Sequence, residues 1–600
     1  MHHESRPLGL CLAISLVACA PIGTLDRNSE ATVTAIVGAT IVHPQREAAA
    51  AAQSNQTIVI VGNRIRSVGP SSSADIPPGA AIIDAKGKWV IPGLVDGHVH
   101  FFQSGNLYTR PDAADFTRWM PYAREVERNK ARLPATFQVW LASGVTSVVD
   151  IGGPFWNFEM RDAARNTAAA PRVAVAGPLI SMVDDPPLDL GDPPIIKISS
   201  ADEARALVAR ELTHKPDFIK VWFIYRPGDD LRAQEAIVKA AGDAAHAAGV
   251  RLAVHATELV TAKAAMRAGA DYLVHSVIDE PVDDEFLALA KRNRVLYCPT
   301  IFVFTSYEMA LSNTWRATDA ERRLADPQIL ASMSDLEKIP KALIPDRVAK
   351  LMAKPPDTTP SPVALQNLRR VWEAGVPVVM GTDAGNIGAL HGPVVFREME
   401  IMTRAGLTPL QVLRSATVNG AKAMGLEHEL GTIEPGRLAD LVILDADPLA
   451  DVNNLSKSYR VVKDGRVFSE EQLRRSISAP AQSPSLFQRL GGMSAITAVV
   501  DDAVANIAAD TRINGRFSGS KHSQLNRNLV DLFCERARGP CTYRGLDMAT
   551  AHEGMNLRDE EFDALVEDLA KSLDKFKVPA REKAELLGIV GQTRNAIVGH

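Results

Sequence analysis

The chain is poor in the residues that staple small domains together. Its 600 residues include five cysteines, none in a CxxC pair, which excludes a cysteine-rich zinc module. Basic residues gather in no stripe or cluster, and the net charge is −5. A nucleic-acid binder, which needs a basic face, is therefore excluded as well. Beyond the N-terminus no apolar run is long enough to cross a bilayer. What remains is the composition of an ordinary globular protein, 46% hydrophobic and 23% charged. A chain of 600 residues is too long for one hydrophobic core, so several domains are expected.

The N-terminus carries the one long apolar run. "MHHESRP" leads into "LGLCLAISLVA", and "LVAC" closes at Cys19. The run has signal-peptide length and is too short to span a membrane. It resembles a bacterial lipoprotein signal, in which Cys19 becomes the lipidated first residue. Residues 1–19 are read as that signal, and residues 20–31 as a tether. The expected location is the bacterial periplasm, with a lipid anchor as the only membrane contact.

Two stretches share a texture of short β-rich runs broken by turn residues: residues 32–91 and 430–470. Separated in sequence, they could pair into one small β-sandwich flanking what lies between. There, strands alternate with helical patterns. Predicted strands are Val90–Val95, Val145–Asp150, Arg172–Ala176, Asp217–Phe223, Arg251–His255, Tyr272–His275, Arg294–Thr300 and Pro377–Thr382. Eight strands alternating with helices predict a (β/α)8 TIM barrel over residues 92–429. The excess length falls mostly between Ile301 and Leu365, a polar helical insertion that could act as a lid. Residues 471–485, with "SISAPAQSPS", read as a linker, and residues 486–600 as a separate helical domain.

The chemistry sits at the predicted strand ends. "GLVDGHVH" carries His98 and His100; on a strand, residues i and i+2 face the same way. Barrel active sites are built at the C-terminal ends of the strands. Alone, an HxH is weak evidence. It is followed by Lys220 inside the apolar "DFIKVWF", His255 in "RLAVHATE", His275 in "DYLVHS" and Asp383 in "VVMGTDAG". His and carboxylate ligands without thiolate suit zinc, manganese, cobalt or nickel. Burial in an apolar strand lowers a lysine's pKa and favours the neutral amine, which can add carbon dioxide to give a carbamate.

This pattern resembles the amidohydrolase superfamily of metal-dependent hydrolases, nearest the imidazolonepropionase-related group that includes Xaa-Pro dipeptidase-like enzymes. The resemblance covers about Thr32 to Phe468, including the ending "AGLTPLQVLRSATVNGAKAMGLEHELGTIEPGRLADLVILDADPL". It implies two divalent cations, zinc foremost. His98, His100 and Asp383 would hold one, His255 and His275 the other, and carboxylated Lys220 would bridge them. A bridging hydroxide would attack a carbonyl, with Asp383 as the catalytic proton carrier. The substrate would be a small amide, peptide or cyclic amide. Glu258, in an HxxE spacing with His255, also fits a mononuclear deaminase, but reads here as a helix-start residue. "GPLISMVDDPP" lacks a histidine that many relatives carry after strand 3. His391 could line the pocket or begin a helix, and His246 reads as a packed helix residue.

The C-terminal domain opens with "LFQRLGGMSAITAVVDDAVANIAADTRINGRFSG" and runs on to "YRGLDMATAHEGMNLRDEEFDALVEDLAKSLDKFKVP", which holds one histidine, His552. Over nearly its whole length it resembles a group 1 truncated haemoglobin. The resemblance places His552 as the proximal ligand of haem b, Phe517 against the haem, Leu525 and Leu529 on the distal side, and Tyr543 in a turn. Oxygen or another diatomic gas would be its ligand. Val504 stands where many relatives carry a distal tyrosine, so the distal side reads as apolar, and Arg538 replaces one glycine of a usual pair. Cys534 and Cys541 are too far apart to bridge along one helix; pairing them needs a turn at Arg538–Pro540. The leading reading is an exported binuclear metallohydrolase with a haem-binding tail. The alternatives are a haem-based gas or redox sensor whose barrel is non-catalytic, and a mononuclear deaminase.

Overall fold

The computed structural model describes residues 32–477, 485–517, 522–539, 541 and 543–599. The leader, with Cys19, and most of the linker lie outside the described residues. The strands in chain order are β1 (Val33–Val42), β2 (Ala52–Val61), β3 (Arg64–Pro70), β4 (Ala81–Asp84), β5 (Trp89–Pro92), β6 (Leu94–Val99), β7 (Val145–Asp150), β8 (Arg172–Val175) and β9 (Leu179–Ser181). They continue as β10 (Ile195–Lys197), β11 (Phe218–Trp222), β12 (Arg251–His255), β13 (Tyr272–Val274), β14 (Leu296–Cys298), β15 (Leu441–Leu444), β16 (Ser458–Lys463) and β17 (Arg466–Phe468).

The two β-rich flanks pair with each other. They form one eight-stranded mixed sheet, ordered β17-β16-β15-β5-β1-β2-β3, with β4 also against β1. β5 is the seam, antiparallel to β15 from the far flank and parallel to β1. Ile36, Ile41, Ile58, Ile60, Leu441 and Ile443 form its buried core, the β-branched surface that packs well on a pleat. The predicted strand Val90–Val95 straddles two elements. Pro92 and Gly93 break it: β5 stays in this sheet and β6 opens the next. Proline has no N–H to continue a ladder.

β6, β7 and β8 run parallel, as do β9, β11, β12, β13 and β14. The third position is split between β8, which pairs with β7, and β9, which pairs with β11. The Asp217 N–H, donating to Val175 O at 2.8 Å, ties the end of β8 to the start of β11. The predicted eighth strand, Pro377–Thr382, is an extended run held by isolated bridges. Val379 N–H donates to Tyr297 O at 2.8 Å, and Gly97 N–H to Met380 O at 2.9 Å. This run closes the ring between β14 and β6. Inside lie Val95, Val149, Phe218, Ala253, Tyr272 and Val379. A larger cluster, including Leu94, Trp140, Val148, Val221 and Met399, packs the strands' outer faces against helices, the layering of a closed parallel barrel.

Helices that bear on the site are α1 (Tyr122–Ala142), α2 (Leu259–Arg267), α3 (Ile301–Leu311) and α4 (Val394–Arg404). The insertion after β14 is helical, as its pattern predicts, but it is less polar than expected. Leu311, Trp315, Met333, Leu336 and Val348 share a buried cluster with Leu107, Tyr108 and Phe116 from the loop after β6. The linker is also shorter than expected. Residues 470–477 form a helix, α5 (Glu470–Ile477), and Arg132 on α1 donates to Ile477 O at 3.1 Å. Linker and barrel side therefore part no earlier than residue 478.

Beyond the linker, the described residues form helices joined by turns, with an isolated bridge between Leu557 and Val598. The helices are α6 (Leu486–Arg489), α7 (Gly492–Ala509), α8 (His522–Arg536), α9 (Met548–His552), α10 (Asp559–Lys575) and α11 (Ala580–Gly591). Val499, Val504, Leu532, Phe533, Leu569 and Leu586 build their shared core. Cys534 and Cys541 are joined as a disulfide, with Cα atoms 5.8 Å apart. The turn that spacing demanded is present, with Arg538 in the left-handed region at φ 62°. Among the described residues no helix is long and apolar enough to cross a membrane.

Candidate metal centre and the C-terminal helical segment

Alternation along β11 and β12 positions two of the six candidates. Phe218 and Ala253 face the barrel interior. Lys220 and His255, each two residues on, therefore face it one layer nearer the mouth. β6 needs a further device. Its ladder to β7 shifts register between Asp96 and Val99, and such a bulge re-aims side chains. The result brings His98 Nε2 within 3.3 Å of His100 Nε2. Gly97 makes this packing feasible: a Cβ there would lie 2.4 Å from the Tyr272 hydroxyl and 2.5 Å from Val379.

Asp383 completes the group, its Oδ1 lying 3.2 Å from His98 Nε2 and 3.1 Å from His100 Nε2. One donor atom from each of these three buried residues falls within 4.8 Å of the other two. His275 packs against both neighbours, with ring centroids 4.8 Å from His98 and 4.4 Å from His255. The backbone is strained where the mouth is built: His275, Thr300 and Asp383 have φ of 76°, 42° and 58°. Such conformations cluster at functional sites because the surroundings must hold them.

The donor chemistry fits a divalent cation. Burial lowers the pKa of His98 to about 4 and of His255 to about 3, and drives His275 well below the usual value. The imidazoles are thus neutral, as ligation requires. Burial alone would raise the Asp383 carboxyl. The imidazoles of His98 and His100 outweigh it and hold the group well below the carboxylate range. Lys220 is 1% exposed, its Nζ lacks a hydrogen-bond partner, and burial lowers its pKa to about 7. An unsatisfied buried amine is costly, which favours its neutral form.

Hydrogen bonds behind the mouth orient the ligands. His100 Nδ1 lies 2.6 Å from Gly152 O, and His275 Nδ1 lies 2.7 Å from Thr300 Oγ1. Sequence reading passed over Asp96, although it sits inside the quoted motif. It is fully buried, and burial raises its pKa to about 7. It accepts from His98 N–H at 3.0 Å, Thr382 N–H at 3.1 Å and the Thr382 hydroxyl at 2.6 Å. The signal available was a carboxylate two residues before a histidine in an otherwise apolar strand. Asn386 was missed too. Its amide donates to Asp383 O at 3.1 Å, while its own oxygen accepts from Arg110 at 3.0 Å and from Tyr307 at 2.5 Å.

Other histidines stand apart. His391 stacks on Phe101 at 5.4 Å and bonds Gln103 O at 2.8 Å. It borders a small cavity with Ser104, Asn129 and Arg132 rather than the metal-type cluster. His246 is not packed as expected: it is exposed and pairs with Asp271 at 2.7 Å. Glu258 is the residue before α2 and accepts from the Thr261 hydroxyl at 2.9 Å, in keeping with a helix start.

In the C-terminal segment, His552 ends α9 and its Nδ1 lies 2.7 Å from Met548 O, one turn back. That bond leaves Nε2 for a ligand. Leu529 and Tyr543 pack on the main helical cluster, and Phe517 on a smaller one with Ile507, Ile513 and Ala564. Leu525 is half-buried on α8, one turn before Leu529. The Tyr543 hydroxyl donates to Leu546 O at 2.9 Å, which ties the turn ahead of α9.

Residues 89–468 match the amidohydrolase family, and residues 485–598 match the bacterial-like globin family. Over 449 residues the chain is 25% identical to imidazolonepropionase of Geobacillus kaustophilus (strain HTA426), spanning 69% of this chain and 90% of that protein. Its end is 31% identical to a group 1 truncated hemoglobin of Tetrahymena thermophila, over 20% of this chain and 98% of that one. A solved Xaa-Pro dipeptidase with bound methionine in its active site superposes with a TM-score of 0.55, at 25% identity, over 73% of this chain and all of that one. Molinate hydrolase shares the fold, with a TM-score of 0.56 at 23% identity over 76% of this chain and 99% of that one. The chain therefore belongs to the amidohydrolase family, a hydrolase acting on carbon–nitrogen bonds, and carries a truncated-haemoglobin segment at its C-terminal end.

Proposed function

We propose that this hydrolase cleaves the amide bond of a small peptide, N-acyl amino acid or cyclic amide at a binuclear metal centre. The observation that carries the reading is the convergence of His98, His100 and Asp383 with a buried, unpartnered Lys220 beside His255 and His275. Two divalent cations, zinc foremost, would be held by these six residues, and bound there they acidify water and polarise a carbonyl. The protein's own part is positional and acid–base. Lys220, neutral, adds carbon dioxide: its nitrogen bonds the carbon, an amine proton leaves to solvent, and two carboxylate oxygens result. Asp383 accepts the proton of the attacking water and delivers it to the departing nitrogen.

Supporting the substrate class are the names of the similar proteins, an imidazolonepropionase and a Xaa-Pro dipeptidase, both acting on carbon–nitrogen bonds. The experiment is an assay of metal-reconstituted protein against dipeptides, N-acyl amino acids and lactams. Two metal equivalents per chain with turnover of one class is the expected result. Ammonia release from a nucleobase-like substrate would instead favour a mononuclear deaminase.

For the C-terminal segment the reading is haem b bound through His552, with a diatomic gas as ligand. It is supported by the Nδ1 bond of His552, which leaves Nε2 for a ligand, and by the apolar helical cluster that holds Val504 and Leu529. If Val504 and Leu529 line the distal side as the resemblance implies, a bound gas there would meet no strong hydrogen-bond donor from them. The purified protein is expected to show a haem absorption band that disappears in His552→Ala. A haem-supplemented wild type that stays colourless would refute the assignment. The N-terminal signal reads as export with a lipid anchor at Cys19; metabolic labelling with a radioactive fatty acid, lost in Cys19→Ser, tests it.

A further inference from the structure

His275 reaches the barrel mouth against the alternation of its own strand. Tyr272 and Val274 face the interior, so the next residue would face the helices. Its positive φ of 76° turns it inward, and Thr300 Oγ1 at 2.7 Å meets its Nδ1. Thr300 is itself strained: fully buried and β-branched, it sits at φ 42° and ψ 53°. A β-branched side chain rarely adopts the left-handed region, and such a residue persists only where its surroundings fix it.

Glu398 supplies that restraint. It lies on α4, 97 residues further along the chain from Ile301, and is fully buried. Its Oε1 accepts the Ile301 N–H at 2.8 Å and its Oε2 the Phe302 N–H at 2.8 Å. These are the first two N–H groups of α3, which have no partner inside the helix. Burial raises the Glu398 pKa to about 8, against the two N–H bonds, which lower it; the restraint on α3 is therefore the pair of hydrogen bonds. With both oxygens engaged on successive N–H groups, the start of α3 cannot turn without breaking one of them. Thr300 is the residue immediately before it.

We propose that Glu398 and Thr300 form a positioning relay that presents His275 Nε2 to a divalent cation. The relay rests on the metal-centre reading above. The Nδ1–H of His275 donates to the Thr300 oxygen, which fixes the ring and leaves the lone pair on Nε2. Gly152 O serves His100 the same way, but through a backbone carbonyl. His275 depends on a side chain, so its support can be removed by substitution.

The test is zinc titration of the metal-free full-length protein against a competing chelator dye, alongside thermal midpoint, kcat and KM. Thr300→Val keeps the shape and removes the hydroxyl; Thr300→Ser restores it. Thr300→Val is expected to bind one zinc about 10- to 100-fold more weakly, the usual effect of removing a ligand's orienting partner. Thr300→Ser should bind as the wild type does. Glu398→Gln, which keeps one acceptor, should weaken zinc binding in the same direction. If Thr300→Val does not fold, Glu398→Gln and Thr300→Ser carry the comparison. Wild-type zinc affinity in the Val and Gln variants, with only a lowered thermal midpoint, would overturn the relay. A wild type that takes up no zinc would overturn the metal reading and the relay with it.

Discussion

Asp383→Asn is expected to retain metal and fold while losing about 10²- to 10⁴-fold in kcat, the range removed with a positioned proton carrier. That corresponds to about 3–5 kcal/mol of barrier. The substitution separates the two things Asp383 offers. Asn keeps a side-chain oxygen in the same place, 3.2 Å from His98 Nε2 and 3.1 Å from His100 Nε2, where it would still be offered to a cation beside them. Asn also tolerates the left-handed backbone at φ 58°. What it cannot do is accept a proton. His98 and His100 hold the native carboxyl well below its usual range, so Asp383 is ionised throughout the working pH range. Kinetics on protein with measured metal content decide the matter. Unchanged turnover in metal-replete Asp383→Asn would remove Asp383 from proton transfer, whereas lost metal would assign it to ligation alone.

The parts of this molecule legible in the sequence are those governed by short-range periodicity. Lys220 and His255 could be placed because β11 and β12 alternate cleanly, and each candidate sits two residues beyond an inward apolar one. His275 and His98 reach the same centre by routes alternation does not describe, a positive φ and a register shift. Both depend on partners remote in sequence. The same holds for Asp96, whose carboxylate joins β6 to a run 286 residues away through Thr382. The seam at Pro92–Gly93 was blurred for a different reason: both sides are equally apolar, so composition does not mark where one sheet ends and another begins. The pairing of β5 with β15, which unites the flanks, is a long-range contact that only their shared texture suggested. Cys534 and Cys541 could be judged only conditionally, since their geometry turns on Arg538 adopting φ 62°.

Replacing Lys220 is expected to distinguish the metal readings most sharply. Nothing in the apolar layer of Phe218, Ala253 and Tyr272 can substitute for it. If its carbamate bridges two cations, Lys220→Ala removes two oxygens at once. Loss of an orienting partner already costs 10- to 100-fold in metal affinity, so loss of a ligand to both ions should cost more than about 100-fold in activity. Metal content should fall below two equivalents. Added acetate should partly restore both, since the cavity left by the side chain admits a small carboxylate. A mononuclear deaminase would be indifferent to the change, and unaltered turnover in Lys220→Ala would sink the binuclear reading. The wild-type lysine gives an independent signature. Burial has lowered its pKa to about 7, and only the neutral amine attacks carbon dioxide. The neutral fraction is small a unit below that pKa and nearly complete a unit above it. Reactivation of metal-free, decarboxylated protein by zinc at a fixed carbon dioxide concentration should therefore speed up between about pH 6 and pH 8 and level off beyond. A rate that stayed flat over that interval would mean that carbamate formation at Lys220 does not limit assembly of the centre.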